Sequence, residues 1–273
     1  MRHVTKTIAL LLLGGMALTS CKKEVKTSQE EISQAVKDQI YSIGFGTSNI
    51  QKVDEGYLVE GDIILTPEYL NSNPTNLILR AGTEEQYHTT NLVTTGGGTR
   101  NITLSLNSKL AAKAGYAQAL AQVASRYNAE NLQLSFTVVG TGAGNINFVD
   151  AHGNYLASAG FPTSGGDPYG QVKVNSRAIG SGTSSTFINY LTTIMAHEAG
   201  HCIGFRHSDY FNRALSCGGS AVNEGASTVG AIWIPNTPLA PNIDSGSWML
   251  SCISSGQNRP FTNFDQTALN YLY

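Results

Sequence analysis

Eleven consecutive positions, His197-Glu198-Ala199-Gly200-His201-Cys202-Ile203-Gly204-Phe205-Arg206-His207, constrain this chain more than any other stretch. On a helix, His197 and His201 lie one turn apart on the same face. Their rings can therefore converge on one metal ion at about 2.0–2.1 Å per metal–nitrogen bond. Gly204, three residues after the second histidine, can take a left-handed backbone and stop the helix. The chain can then turn back and present His207 as a third ligand, leaving a fourth position for water. Glu198 stands next to the first ligand, within reach of that water. A lone His-Glu-x-x-His arises by chance in many proteins. Gly204 and His207 make the pattern much more specific, and no separate structural role needs three histidines so spaced.

The segment resembles the long zinc signature of the metzincin clan of metallopeptidases. From His197 to Tyr210, with Gly204-Phe205-Arg206-His207-Ser208-Asp209, it is most similar to the bacterial dual-action HEIGH metallopeptidase family. Ala199 stands where that family's name has Ile. Metzincins also carry a methionine turn beneath the metal. Ser247-Trp248-Met249-Leu250-Ser251 fits it, and Met249 is the only methionine after the zinc helix. The tail from Phe261 to Tyr273 resembles the C-terminal helix that closes such domains. The resemblance implies an α+β catalytic domain: a twisted mixed sheet with one antiparallel edge strand, two long helices and a C-terminal helix. It also implies one catalytic Zn²⁺ held by His197, His201 and His207, with Glu198 as general base and Met249 as hydrophobic support.

Two features are read against the astacin branch of the clan. Astacins carry a tyrosine two residues after the turn methionine, and here that place is Ser251. Val59-Glu60-Gly61-Asp62-Ile63 resembles the Phe-x-Gly-Asp motif of astacin propeptides, with Val59 replacing Phe. The resemblance makes Asp62 a candidate zymogen switch that would occupy the zinc, with activating cleavage between residues 64 and 100. The alternative is an ordinary turn at Gly61-Asp62 between strand segments. No cysteine lies between 21 and 202, which excludes a cysteine switch. Asp209 is expected to fix the backbone after His207 rather than bind metal. His88 and His152 are read as ordinary polar histidines.

The N-terminus reads as a processing signal. Arg2, His3 and Lys6 precede an apolar run from Ile8 to Leu18, and Leu18-Thr19-Ser20-Cys21 matches a bacterial lipobox. In the proteins it resembles, Cys21 receives a lipid on sulfur and becomes the mature N-terminus; the alternative is an ordinary secretory peptide. Acyl chains would bind the protein to a membrane without a spanning helix. The expected place is the bacterial cell envelope, anchored at the outer membrane or cell surface. Beyond residue 20 no apolar run is long enough to span a bilayer. Charged residues make up only 13%, and a formal net charge of −2 gives no basic field for nucleic acid. Export implies an oxidising compartment. Cys202, Cys217 and Cys252 allow three pairings, of which Cys217–Cys252 is favoured because Cys202 sits on the zinc helix.

The chain divides into a signal peptide (1–20), a tether and pro-segment-like region (21–98) and a catalytic domain (99–273), with Gly96-Gly97-Gly98 marking the last boundary. Apolar spacing predicts a helix over 32–43, a strand over 57–65 interrupted at Gly61, and a turn at Asn71-Ser72-Asn73-Pro74. Strands are predicted over 101–106, 132–139, 145–150 and 171–175, with a short edge strand over 155–160. Helices are predicted over 109–128 and 186–204. The loops between His207 and Met249 are expected to line the first specificity pocket. Together these features describe an exported, lipid-anchored, monomeric zinc endopeptidase acting on protein or peptide substrates. The alternatives are a non-catalytic surface binding lipoprotein that keeps the fold and a zinc hydrolase of cell-wall peptides.

Overall fold

Alternating apolar residues in the middle of the chain build one sheet, and two helices bury its face. The computed structural model describes residues 31–71, 86–220, 231–238 and 244–273. The expected signal peptide, Cys21 and positions 72–74 of the expected turn lie outside the described residues. Residues 32–273 form one compact unit. No helix among the described residues is long and apolar enough to cross a membrane.

The compact unit opens with helix α1 (Gln34–Ser42), capped by the Ser33 hydroxyl, which accepts from Val36 N. Strands β1 (Gln51–Val53), β2 (Gly56–Val59) and β3 (Ile63–Leu65) form an antiparallel meander, followed by helix α2 (Pro67–Asn71). The predicted strand over 57–65 is thus a hairpin whose tip is Glu60-Gly61-Asp62. Glu60 (φ 53°) and Gly61 (φ 94°) both take left-handed backbone there. Ile40, Ile43, Phe45, Val59, Ile63, Leu65, Tyr69, Leu70 and Phe161 bury a separate apolar cluster beneath this hairpin.

After the two-residue strand β4 (Tyr87–His88) come β5 (Arg100–Leu106), β6 (Leu134–Val138), β7 (Ile146–Asp150), β8 (Ala157–Ser158) and β9 (Gln171–Val174). They form a sheet of order β6-β5-β7-β9-β8. All neighbours pair in parallel except β8, the edge strand, which is antiparallel to β9. The helix predicted over 109–128 is broken into α3 (Ser108–Ala111) and α4 (Tyr116–Asn128). Gly115 between them has φ 90°, and a Cβ there would meet Gly182 O at 2.2 Å. A backbone contact from a distant loop thus overrides local helical propensity.

Short helix α5 (Ser176–Ile179) leads to α6 (Ser185–Ile203), which is buried from Tyr190 to its end. The near-continuous apolar character of α6 reflects burial on all sides. Helices α4 and α6 pack on one another and against the sheet, with Leu120, Val123, Leu191 and Met195 in the main core. Helix α7 (Ala214–Cys217), strand β10 (Ile232–Trp233), which pairs with β4, and helix α8 (Asn263–Leu272) complete the α+β unit. Thr262 and Asp265 close a capping box on α8.

Candidate metal centre

Two of the candidate ligands, His197 and His201, come from the last turns of α6 and the third, His207, from the chain just beyond. Gly204 caps α6 at φ 114°, its amide bonded to Gly200 O (3.1 Å) and His201 O (2.9 Å). A Cβ at this position would lie 2.7 Å from Leu92 Cδ2 and 3.0 Å from Asn91 O, so glycine is needed for both conformation and space. Past the cap, Thr89 N donates to Gly204 O (2.8 Å) and Arg206 N donates to Tyr87 O (2.9 Å). The segment 87–89 thereby steers the chain so that His207 faces the helix. Ring centroids of His197, His201 and His207 lie 4.7–5.3 Å apart.

The hydrogen bonds set the ring tautomers. His197 Nδ1 donates to Trp248 O and His201 Nδ1 to Phe205 O, each at 2.8 Å. Each Nε2 therefore carries a lone pair. Both Nε2 atoms are buried without a hydrogen-bond partner. Converging lone pairs in a dry site are costly unless a cation fills the space between them. The donor set, neutral imidazoles oriented by backbone carbonyls, is that of a metal site. Burial, together with the charges His197 and His207 can carry, holds the His201 pKa well below its ordinary value, so the ring is neutral and ready to ligate.

A fourth group enters from the hairpin tip. Asp62 Oδ2 lies 3.2 Å from His207 Nε2 and 3.5 Å from His197 Nε2. The ligand atoms of Asp62 and the three histidines all fall within 4.8 Å of one another. Burial alone would raise the Asp62 pKa, but the surrounding imidazoles prevail and hold it well below the ordinary range. Glu198 is 2% exposed, and its Oε2 is buried without a hydrogen bond. Burial first, then the Asp62 charge, push its pKa well up, against a smaller opposing pull from His207.

Beneath the histidines runs the turn Ser247–Leu250. Met249 is fully buried, and a Cβ on Gly200 would meet its Sδ at 2.6 Å. The glycine in the middle of the motif thus lets the turn approach the helix. Met249 O accepts from Ser208 N (2.9 Å), and Trp248 O from His197 Nδ1, so one turn braces two ligands. Asp265 holds this turn from behind. Its Oδ1 accepts from Ser247 Oγ and Gln86 Nε2, both at 2.7 Å, and its Oδ2 from Trp248 N (3.2 Å) and Thr262 N (3.0 Å). Asp209 accepts from Ser251 N (2.9 Å) and Ser251 Oγ (2.7 Å) and makes no contact with the imidazole Nε2 atoms. Ser251 is therefore a partner of Asp209.

A family model for the dual-action HEIGH metallo-peptidases matches residues 58–273. The chain belongs to this family. Two solved structures of myroilysin are similar to it. One is 13% identical with a TM-score of 0.39 and covers 67% of this chain and 96% of its own. The other is 17% identical with a TM-score of 0.27 and covers 50% and 58%. No curated protein matches the chain. As a HEIGH-family metallopeptidase the protein acts on protein or peptide substrates, and its histidine cluster with Asp62 fits a metal ion.

Cys217 and Cys252 are joined by a disulfide, with Cα atoms 5.1 Å apart. Cys202 is a buried free thiol whose pKa burial pushes well up, which makes it inert. His88, whose Nδ1 lies 2.7 Å from Thr89 O, and exposed His152 lie outside the cluster. Sequence reasoning missed Glu60, Arg206, Arg259 and Asp265. Arg206 is fully buried: its Nη2 donates to both Glu60 oxygens (2.7 and 2.8 Å) and its Nη1 to Gly44 O (2.7 Å). Its guanidinium also lies 4.1 Å from the Phe45 ring centroid. Arg213 Nη1 donates to Glu60 O. Two arginines thus hold the hairpin tip at Glu60, two residues before Asp62. Only the Thr262-x-x-Asp265 capping spacing could have flagged one of these four residues from sequence.

A cavity of about 220 Å³ adjoins His197 and Glu198. Most of its wall comes from 154–157, from Thr193 and Ile194, and from Leu250–Ile253 and Arg259. The region between His207 and Met249, expected to line the pocket, supplies only Arg213 and Trp248 among the described residues. Residues 221–230 and 239–243 of that region lie outside the described residues.

Proposed function

We propose that the protein is a zinc-dependent endopeptidase of the metzincin type, with His197, His201 and His207 as the ligands and Glu198 as general base. The observation that carries this reading is the pair of buried, unpartnered Nε2 lone pairs facing His207 beside Glu198. Bound there, zinc supplies Lewis acidity, which brings the pKa of water from 15.7 to about 7 and polarises carbonyl oxygen. The protein's own part is positioning and proton transfer. Carbonyls of Trp248 and Phe205 orient two imidazoles. Glu198 takes a proton from the attacking water and returns it to the leaving amine, a role suited to a carboxyl whose pKa is raised by burial. Met249 fills the floor beneath the rings. An extended substrate would add to the sheet edge at β8, where backbone amides pair with a peptide strand.

A second reading concerns latency. Ile64 N donates to Ala159 O (2.7 Å) and Ala159 N to Asp62 O (2.9 Å), so the hairpin already occupies the edge beside β8 while its Asp62 carboxylate sits among the histidines. We read the full-length chain as a zymogen in which Asp62 takes the catalytic position until the hairpin is displaced or cleaved. Residues 2–21 support export and lipid attachment at Cys21, and hence a cell-envelope location. We take the molecule to be a monomer. A mixed protein digest incubated with the purified Asp62→Ala chain, in which the latency contact is removed, with and without chelator, tests the main reading. Cleavage abolished by chelator is expected, and Glu198→Gln should retain metal while losing at least a hundredfold in rate. Chelator-insensitive cleavage, or full activity in that variant, would refute the assignment; metal binding without hydrolysis would favour a binding module.

A further inference from the structure

The wall of the cavity beside Glu198 contains a buried cation, Arg259, with no counter-ion among the described residues. Arg259 is 6% exposed and lines the cavity together with Ile194, Leu250, Ile253 and Arg213. Its Nη1 donates to Cys252 O (2.8 Å) and its Nη2 to Gln257 Oε1 (3.2 Å), both neutral acceptors. Its Nε is buried without a partner. Among the described residues no carboxylate lies within ion-pairing distance of it. Burial pulls its pKa down, with Asp209 and Asp265 acting in the opposite sense, but a guanidinium remains cationic at neutral pH.

Buried charges are normally paired, because leaving one unpaired is expensive. Here the backbone of Arg259 is pinned from two sides. Its N donates to Thr193 Oγ1 (3.0 Å), and its O accepts from Arg126 Nη1 (3.2 Å). Thr193 belongs to α6, the helix that carries His197 and Glu198 one turn later. Arg259 is therefore fixed in the wall of the cavity that Glu198 also lines. Ile194, Leu250 and Ile253 offer an apolar surface to the methylene of a short side chain, Asp62 and Glu198 belong to the same wall, and a substrate carboxylate reaching Arg259 and Arg213 would supply the counter-charge that Arg259 lacks.

We infer that this cavity is a specificity pocket for an acidic side chain, and that Arg259 makes the protein prefer peptides with Asp or Glu next to the scissile bond. The inference rests on the peptidase reading and adds a substrate class to it. Arginine suits the task, since its planar donors match a carboxylate and reject the isosteric amide.

Binding of small probes to the full-length chain, followed by ligand-observed NMR, tests the pocket without requiring turnover. The probes are N-acetyl-aspartate amide, its isostere N-acetyl-asparagine amide, and N-acetylglycine, whose only carboxylate is on the main chain. The aspartate probe should bind at least tenfold more tightly than either of the others. Arg259→Gln should reduce that ratio below threefold, and Arg259→Lys should restore part of it. Indistinguishable binding of the three probes, including no binding by any, would overturn the inference, as would an undiminished ratio in Arg259→Gln. Tightest binding of N-acetylglycine would overturn it in favour of C-terminal recognition. If Arg259→Gln fails to fold, the wild-type ratio and the lysine variant still decide. Chelator-sensitive cleavage with no acidic preference would sink the pocket alone, whereas acid-selective binding without any hydrolysis would sink the peptidase reading alone.

Discussion

Glu60→Gln should cost the full-length protein about 3–5 kcal/mol of stability, the range for removing one partner of a buried ion pair. The Glu60 carboxylate accepts two hydrogen bonds from Arg206 Nη2 and one from Gly46 N (3.0 Å). An amide keeps one acceptor oxygen and turns an N–H toward a donor. The Arg206 cation, fully buried, would then face no charge. It keeps Gly44 O and the Phe45 ring, and a desolvated cation–π contact is worth about 2 kcal/mol, which places the loss near 3 kcal/mol. Arg206→Met should cost a similar amount by removing the two charge-assisted hydrogen bonds that the buried carboxylate accepts from Nη2. The double variant should lose at least 2 kcal/mol less than the sum, because both substitutions remove the same interaction. Urea unfolding of the metal-free proteins, followed by tryptophan fluorescence, measures all four corners of the cycle. At a slope of about 3 kcal/mol per M urea, the single variants should unfold about 1 M earlier. A loss below 1 kcal/mol for Glu60→Gln, or additivity within 0.5 kcal/mol, would show that the hairpin tip is not held by this pair.

Asp62→Ala should raise peptide hydrolysis by the full-length chain at least tenfold, since it removes the carboxylate at 3.2 Å from His207; an unchanged rate would remove the latency reading. Asp265→Asn should destabilise by about 2–3 kcal/mol, because the amide turns N–H groups toward one of two donor pairs. It should also speed metal loss through the turn that carries Trp248 O; a thermal midpoint and metal off-rate equal to wild type would contradict this. Replacing Cys217 and Cys252 by Ser together removes a closure across 35 residues, worth about 4 kcal/mol on chain-entropy grounds. Denaturant midpoints under oxidising conditions would show it, and a loss under 1 kcal/mol would not fit.

What could be read in the sequence was local. The spacing of His197 and His201, and a glycine stop before His207, need only helical geometry and one left-handed residue. The strands over 100–106, 134–138, 146–150 and 171–174 announce themselves by period-two apolar patterns, and α6 and α8 by their length and spacing. The break at Gly115 was not legible, because the contact that enforces it comes from Gly182, far along the chain. Glu60 and Arg206 were not legible as a pair either: 146 positions separate them, and each alone reads as a solvated charge. Arg259 and Asp265 acquire meaning only when the tail meets Thr193 of α6 and the turn at Ser247–Trp248. The Glu60-Gly61-Asp62 tip lies between these cases. Its residues stood out as a motif, but only the register of β3 against Ala159 fixes where the carboxylate falls.

Three imidazole nitrogens sharing one ion beside Glu198 are what every proposed step requires. Elemental analysis of the purified chain, supplemented with zinc and then dialysed at neutral pH, measures this most directly. We predict one equivalent of zinc per chain, and less than a tenth of an equivalent in His201→Ala. A wild-type protein that retains no zinc, or a His201→Ala variant that retains a full equivalent, would contradict it.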